Sequence, residues 1–162
     1  MRIPLKYIYL IAFITVAYIM LPVMNDDYLY TIQDNSAFIN GHTFMMDIVT
    51  HKGGWMMWVS CYLPQFFYYP WLGSTFLILL WAAIYGITIQ MCSIKDKRSP
   101  LALVIPCVLL YHLLDYGYWI YYAKIPGLPF QPTLMVLACL LFTWGMLLLT
   151  RPFKISWRAK GC

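Results

Sequence analysis

The sequence predicts an all-α integral membrane protein: a helical bundle of four transmembrane helices, with a long outer loop that holds an interfacial or re-entrant helix. Three observations carry this. Of 162 residues, 62% are hydrophobic and 10% are charged, where a soluble domain carries roughly 25% charged residues. Mean hydropathy is +0.68. Four apolar runs each approach the ~20 residues that a helix needs to cross the hydrocarbon, and the charges sort by sign between successive loops. The whole chain reads as one membrane domain, with spans at about 5–24, 74–93, 100–121 and 133–150 and an outer loop at 25–73.

The first run, YIYLIAFITVAYIMLPVM, follows Arg2 and Lys6 and passes straight into NDD. A cleaved signal would have a shorter apolar core and a small-residue exit, so this reads as an uncleaved anchor. The long segment after it carries NDDYLY and then DIVTHKGG, which has the form of a helix end, with Asp47 and His51 one turn apart and Gly53 as the stop. Trp55 to Trp71 is apolar but broken by Pro64 and Pro70, and three tyrosines and three tryptophans crowd it. Such rings favour the water interface, so the piece is expected to lie along the membrane instead of crossing it.

STFLILLWAAIYGITIQMCS is the clearest span, and IKDKRS ends it with Lys95, Lys97 and Arg98. Residues from Pro100 form the third span, with Pro106 inside it, and run into YHLLDYGYWIYYAK. GLPFQP is a turn, Thr133 to Thr150 is the last span, and a basic tail follows. With four spans and both ends inside, nine of the eleven basic residues are cytoplasmic and five of the six acids lie outside. A fifth span would break that asymmetry, so the positive-inside bias selects four. The same flanking pattern explains the net charge of +5 and argues against nucleic acid as a partner.

Five cysteines without a CxxC pair, most of them in apolar runs, read as packing residues. No Walker loop, G-x-S-x-G or dinucleotide fingerprint occurs, and no acid lies in the middle of a span, which disfavours nucleotide enzymes and pumps.

The candidate chemistry lies outside. Asp26 and Asp27, walled by Tyr28 and Tyr30, suit a base or metal ligand toward a lipid-linked substrate. They equally mark the translocated end of a helix. Asp115 with His112 forms a second outward polar pair, able to share one cavity with Asp26 or Asp27 if the outer loops fold together. Lys52 and Lys124 are the outward cations and suit a phosphate headgroup. His42, Asp47 and His51 are metal-ligand types at a spacing foreign to zinc sites, so a loop hydrogen-bond network is expected there and no metal is assigned.

The order of parts resembles the amino-terminal module of C-type glycosyltransferases, polytopic enzymes that use polyprenyl-phosphate sugars: a first helix, the acidic NDDYLY at its outer end, a long outer loop, a span with a basic inner turn, and a span ending in Asp115. The resemblance implies a catalytic role for Asp26 or Asp27, assistance from Asp115, and contact of Lys52 or Lys124 with the lipid phosphate; Tyr28 and His112, beside these acids in the sequence, are further candidate substrate contacts. HKGGWMMWVSCYLPQFFYYPWLG is similar to a Gly-Gly, Gln-Phe-Phe and Pro-x-x-Gly pattern in an uncharacterised family of large bacterial polytopic membrane proteins, over about residues 1–90. Proteins of both families are several times longer than this chain. Together they imply a bacterial inner-membrane protein that meets membrane lipids, a polyprenyl-phosphate-linked sugar or a partner membrane protein. The alternative to the enzyme is a non-catalytic membrane subunit that binds lipid or a partner through the aromatic segment, and a transporter component is a third reading. The cofactor is not identified by the sequence.

Overall fold

In the computed structural model, residues 4–36, 38–39, 41–51, 53–94, 96–119 and 127–159 are described, with side chains except at 97, 117–119 and 151–159. Among these residues the chain is helical and contains no strand. Seven α-helices follow one another: α1 (Leu5–Tyr18), α2 (Asp26–Asn35), α3 (His42–Val49), α4 (Gly54–Tyr62), α5 (Pro70–Cys92), α6 (Val104–Trp119) and α7 (Phe130–Ala159). Among the described residues, four stretches are long and apolar enough to cross a membrane: Leu5–Val23, Pro70–Cys92, Arg98–Tyr116 and Phe130–Thr150.

The first of these ends on a widened turn. Pro22 has no N–H to donate, and the chain over Ile19–Val23 relaxes into a π-helical turn. Asn25 closes the end: its backbone N–H donates to the Leu21 carbonyl at 3.2 Å, and its side-chain amide donates to the Met20 carbonyl at 2.6 Å. These bonds satisfy carbonyls that a helix end leaves without partners, and α2 starts one residue later.

The aromatic segment does not form a continuous span. α4 is nine residues long and passes into a 3₁₀ stretch, Leu63–Tyr68, before α5 starts at Pro70. Pro64 sits at the front of the 3₁₀ stretch and Pro70 at the front of α5, the helix positions where a missing N–H costs least. Rings line this shelf in sequence: Phe38 meets Trp58 at 5.5 Å, Trp58 stacks on Tyr62 at 6.2 Å and 7°, Tyr62 meets Phe66 at 5.7 Å, and Phe66 meets Phe76 at 4.8 Å. Tyr62, Tyr68, Tyr69 and Trp71 keep exposed edges, as rings at a membrane interface do.

α5 is the centre of the bundle. In its apolar window 44% of the residues are buried, against 6% in α7, so α5 packs on several sides while most of α7 faces outward. Trp81 is fully buried and its indole N–H donates to Thr133 Oγ1 at 3.2 Å. Phe13 from α1 packs on the same ring at 6.0 Å. Nearer the shelf, Phe67 meets Phe130 at 5.6 Å, and a Cβ on Gly73 would collide with the Phe67 ring, so glycine there lets the 3₁₀ stretch lie against α5.

Two long-range bonds fix which helix ends meet. The Tyr85 hydroxyl donates to the Lys6 carbonyl at 2.9 Å, joining the last third of α5 to the start of α1. The Tyr28 hydroxyl donates to the Leu113 carbonyl at 2.8 Å, joining the start of α2 to the second half of α6. Asp26, Asp27 and Asp115 therefore sit toward one end of the bundle. Asp96 opens a 3₁₀ stretch, Asp96–Leu103, that packs on α1 and α5.

Candidate functional site

Asp26 and Asp27 form the first turn of α2 and are exposed. An Asp26 carboxylate oxygen accepts the Asp27 backbone N–H at 3.0 Å. Carboxylates there complement the positive end of the helix dipole, which gives the pair a local structural role. Tyr28, expected as an aromatic wall and substrate contact, is instead buried, with its hydroxyl on the Leu113 carbonyl. Burying a phenol requires a partner for its O–H, and that partner is backbone 85 residues away. Asp115 and His112 are exposed on α6, and the His112 ring stacks on Tyr116 at 5.5 Å and 26°. The bond from Tyr28 brings the two acidic segments to one end of the molecule. Lys52 and Lys124, the expected phosphate contacts, lie outside the described residues.

A better-formed site lies between α3, α4 and α7. α3 ends at Val49, and the carbonyl of Asp47 in its last turn accepts two bonds, from Thr50 Oγ1 at 3.0 Å and from the His51 ring nitrogen Nδ1 at 2.7 Å. A carbonyl can only accept, so Nδ1 carries the hydrogen and, in the neutral ring, Nε2 is left as an acceptor. The expected loop hydrogen-bond network is present for His51, but it runs to the Asp47 backbone and leaves the carboxylate exposed.

The chain then reverses over Gly53, at φ +76°, which glycine adopts without a Cβ penalty. Gly54 N–H donates to the His51 carbonyl at 2.9 Å. A Cβ on Gly54 would strike the Ile48 carbonyl, so the Gly-Gly pair both turns the chain and sets α4 against the end of α3.

Two adjoining clefts open around this turn and share His51, Gly53 and Gly54. The apolar one, about 560 Å³, runs between Trp55, Met56 and Val59 of α4 and Leu134, Leu137, Ala138 and Leu141 of α7. The α7 positions follow the i, i+3, i+4, i+7 spacing of one helix face, and Ala138 is the small residue that leaves the space. The second, about 340 Å³, adds Asp47, Met57 and Gln131. Along α7, Gln131 stands at the start and Leu141 ten residues on, about 15 Å at 1.5 Å per residue, so the wall changes from polar to apolar over roughly half the ~30 Å hydrocarbon thickness.

The sequence alone assigns GLPFQP to a turn and makes α7 a plain span, so it singles out neither Gln131 nor the 134–141 stripe. The stripe's spacing is visible there; what it faces is not.

Behind the shelf, Gln65 Nε2–H donates to the Ser36 carbonyl at 2.6 Å, and the Ser36 hydroxyl accepts the Gly127 N–H at 3.2 Å. These bonds lock Ser36, after α2, and the 3₁₀ stretch that carries Gln65 to the start of α7. Cys61 is buried at the end of α4, and burial pushes its thiol up from the usual range. A neutral thiol is a poor nucleophile, so modification of the folded protein by a maleimide is expected to stay slow at Cys61 to a higher pH than for free cysteine. Mass spectrometry of the labelled peptide across a pH series measures this, and fast labelling at neutral pH would contradict it.

A family model described as a family of unknown function, DUF6057, matches residues 2–159. No curated protein and no solved structure matches the chain, so the glycosyltransferase likeness rests on the order of helices and acids alone.

Proposed function

The chain belongs to DUF6057, a family of unknown function, and we propose that it is a membrane protein that holds a lipid, acting through binding and not through chemistry on a substrate. The observation that carries this reading is the polar-to-apolar wall of α7 from Gln131 to Leu141, opposite Trp55, Met56 and Val59. Its length fits one leaflet, with a headgroup at His51 and Gln131 and a chain running along the 134–141 stripe. Lipid tails are as apolar as leucine, so moving a chain from bilayer to cleft gains little by transfer. Retention then depends on packing in the cleft and on the headgroup.

Ala138→Phe fills the cleft from an exposed position on α7 and is expected to reduce retained lipid by roughly tenfold or more, the scale on which an apolar pocket responds to even one methylene. Native mass spectrometry of the purified chain reads this as the fraction of lipid-bound ions. Equal retention in variant and wild type would refute the reading.

One observation favours a second reading, chemistry on a lipid-linked sugar. The Tyr28 to Leu113 bond supports placing Asp27 and Asp115 at a common end, as base and orienting group. On this reading Asp27→Asn and Asp115→Asn each lower glycosyl transfer from a polyprenyl-phosphate sugar by at least roughly 100-fold while lipid retention stays unchanged. Undiminished transfer in both variants, or none in wild type, removes it.

A further inference from the structure

We propose that the headgroup taken at the α3, α4 and α7 junction is that of an amine-bearing zwitterionic phospholipid, a primary ammonium joined to a phosphate. This rests on the lipid-binding reading and adds the chemistry of the head.

The described polar groups that line the smaller cleft are few and of distinct kinds: the Asp47 carboxylate, the His51 ring and the Gln131 amide. Asp47 is acceptor-only when ionised. His51 has Nδ1–H engaged on the Asp47 carbonyl at 2.7 Å, so the ring, when neutral, offers Nε2 as a second acceptor. Two acceptors, one of them anionic, match a group with several N–H donors and a positive charge. Gln131 supplies amide N–H donors from the first turn of α7, on the side where the apolar stripe begins, and these suit a phosphate or ester oxygen.

The order along the cleft is thus acceptors on the α3 side, donors at the mouth of α7, and apolar wall beyond. An ammonium, a phosphate and a chain occur in that order in such a lipid. A purely anionic head would set its charge against Asp47. A quaternary ammonium would keep the charge but offer no N–H donors.

The test presents the detergent-purified full chain with equal amounts of phosphatidylethanolamine, phosphatidylcholine and phosphatidylglycerol of identical chains, and counts bound lipids by native mass spectrometry. The expected order is ethanolamine over choline over glycerol, with ethanolamine ahead of glycerol by roughly three- to tenfold, as for a charge-assisted hydrogen bond at a partly wet site. Asp47→Asn is expected to erase that order by lowering retention of phosphatidylethanolamine to the level of phosphatidylglycerol. The exposed position of Asp47 makes that variant compatible with the fold.

Equal retention of the three lipids by wild type, or an ethanolamine preference that survives Asp47→Asn, overturns the headgroup assignment and leaves the cleft standing. No retention of any lipid, or retention untouched by Ala138→Phe, overturns the cleft as well.

Discussion

Trp81→Ala is expected to destabilise the protein by about 3 kcal/mol, at the lower end for deletion of a large buried aromatic, and to lower the melting temperature in detergent by roughly 6–12 °C. The indole is fully buried in the central helix α5, beneath Phe13 and bonded to Thr133. In lipid the transfer contribution is small, because the unfolded reference also buries apolar groups in hydrocarbon. The penalty comes instead from the dispersion attraction that the atoms lining the new cavity forfeit. The Thr133 hydroxyl also gives up the N–H that it accepts, though it keeps its own bond to the Pro129 carbonyl at 3.2 Å. Trp81→Phe separates these effects: it retains most of the packing and removes the donor, so it should fall about 1 kcal/mol. An alanine variant that melts with the wild type would mean that α5 is not the packing centre.

The spans were legible because membrane insertion is decided by composition over a window, and composition is local. The break in the aromatic segment was legible from its two prolines, and α4 gives way there to a 3₁₀ stretch. Roles that depend on distant partners were not legible. Tyr28 stands beside two carboxylates in sequence and looks like part of their pocket, yet its hydroxyl is taken by a carbonyl 85 residues on. The apolar cleft has one wall in α4 and the other about 80 residues later in α7, and neither wall is distinctive alone: Leu134, Leu137 and Leu141 are what any span contains. Asp47 and His51 stand out as a pair, but the bond between them uses the backbone, which side-chain spacing cannot announce.

Gly53 and Gly54 separate conformational from steric demand, and their variants should differ sharply. Gly53 needs positive φ but has open space around a Cβ, so Gly53→Ala is expected to cost about 1 kcal/mol and, although Gly53 also lines both clefts, to lower lipid retention less than Gly54→Val because no wall is displaced. Gly54 has the opposite problem. A Cβ there meets the Ile48 carbonyl carbon and oxygen and the Val49 Cα, backbone atoms that cannot rotate aside as a side chain would. Gly54→Val therefore has to push α4 off the end of α3, at a cost of about 3 kcal/mol or more, the upper range for overpacking. Because Gly54 lines both clefts, the same displacement should lower lipid retention and open the 41–69 region to proteolysis, while the packing around Trp81 is spared. Limited proteolysis and native mass spectrometry on the two variants measure both effects. If Gly54→Val resists protease and holds lipid as Gly53→Ala does, the close approach of α3 and α4 is not what shapes the site, and the clefts have no common wall.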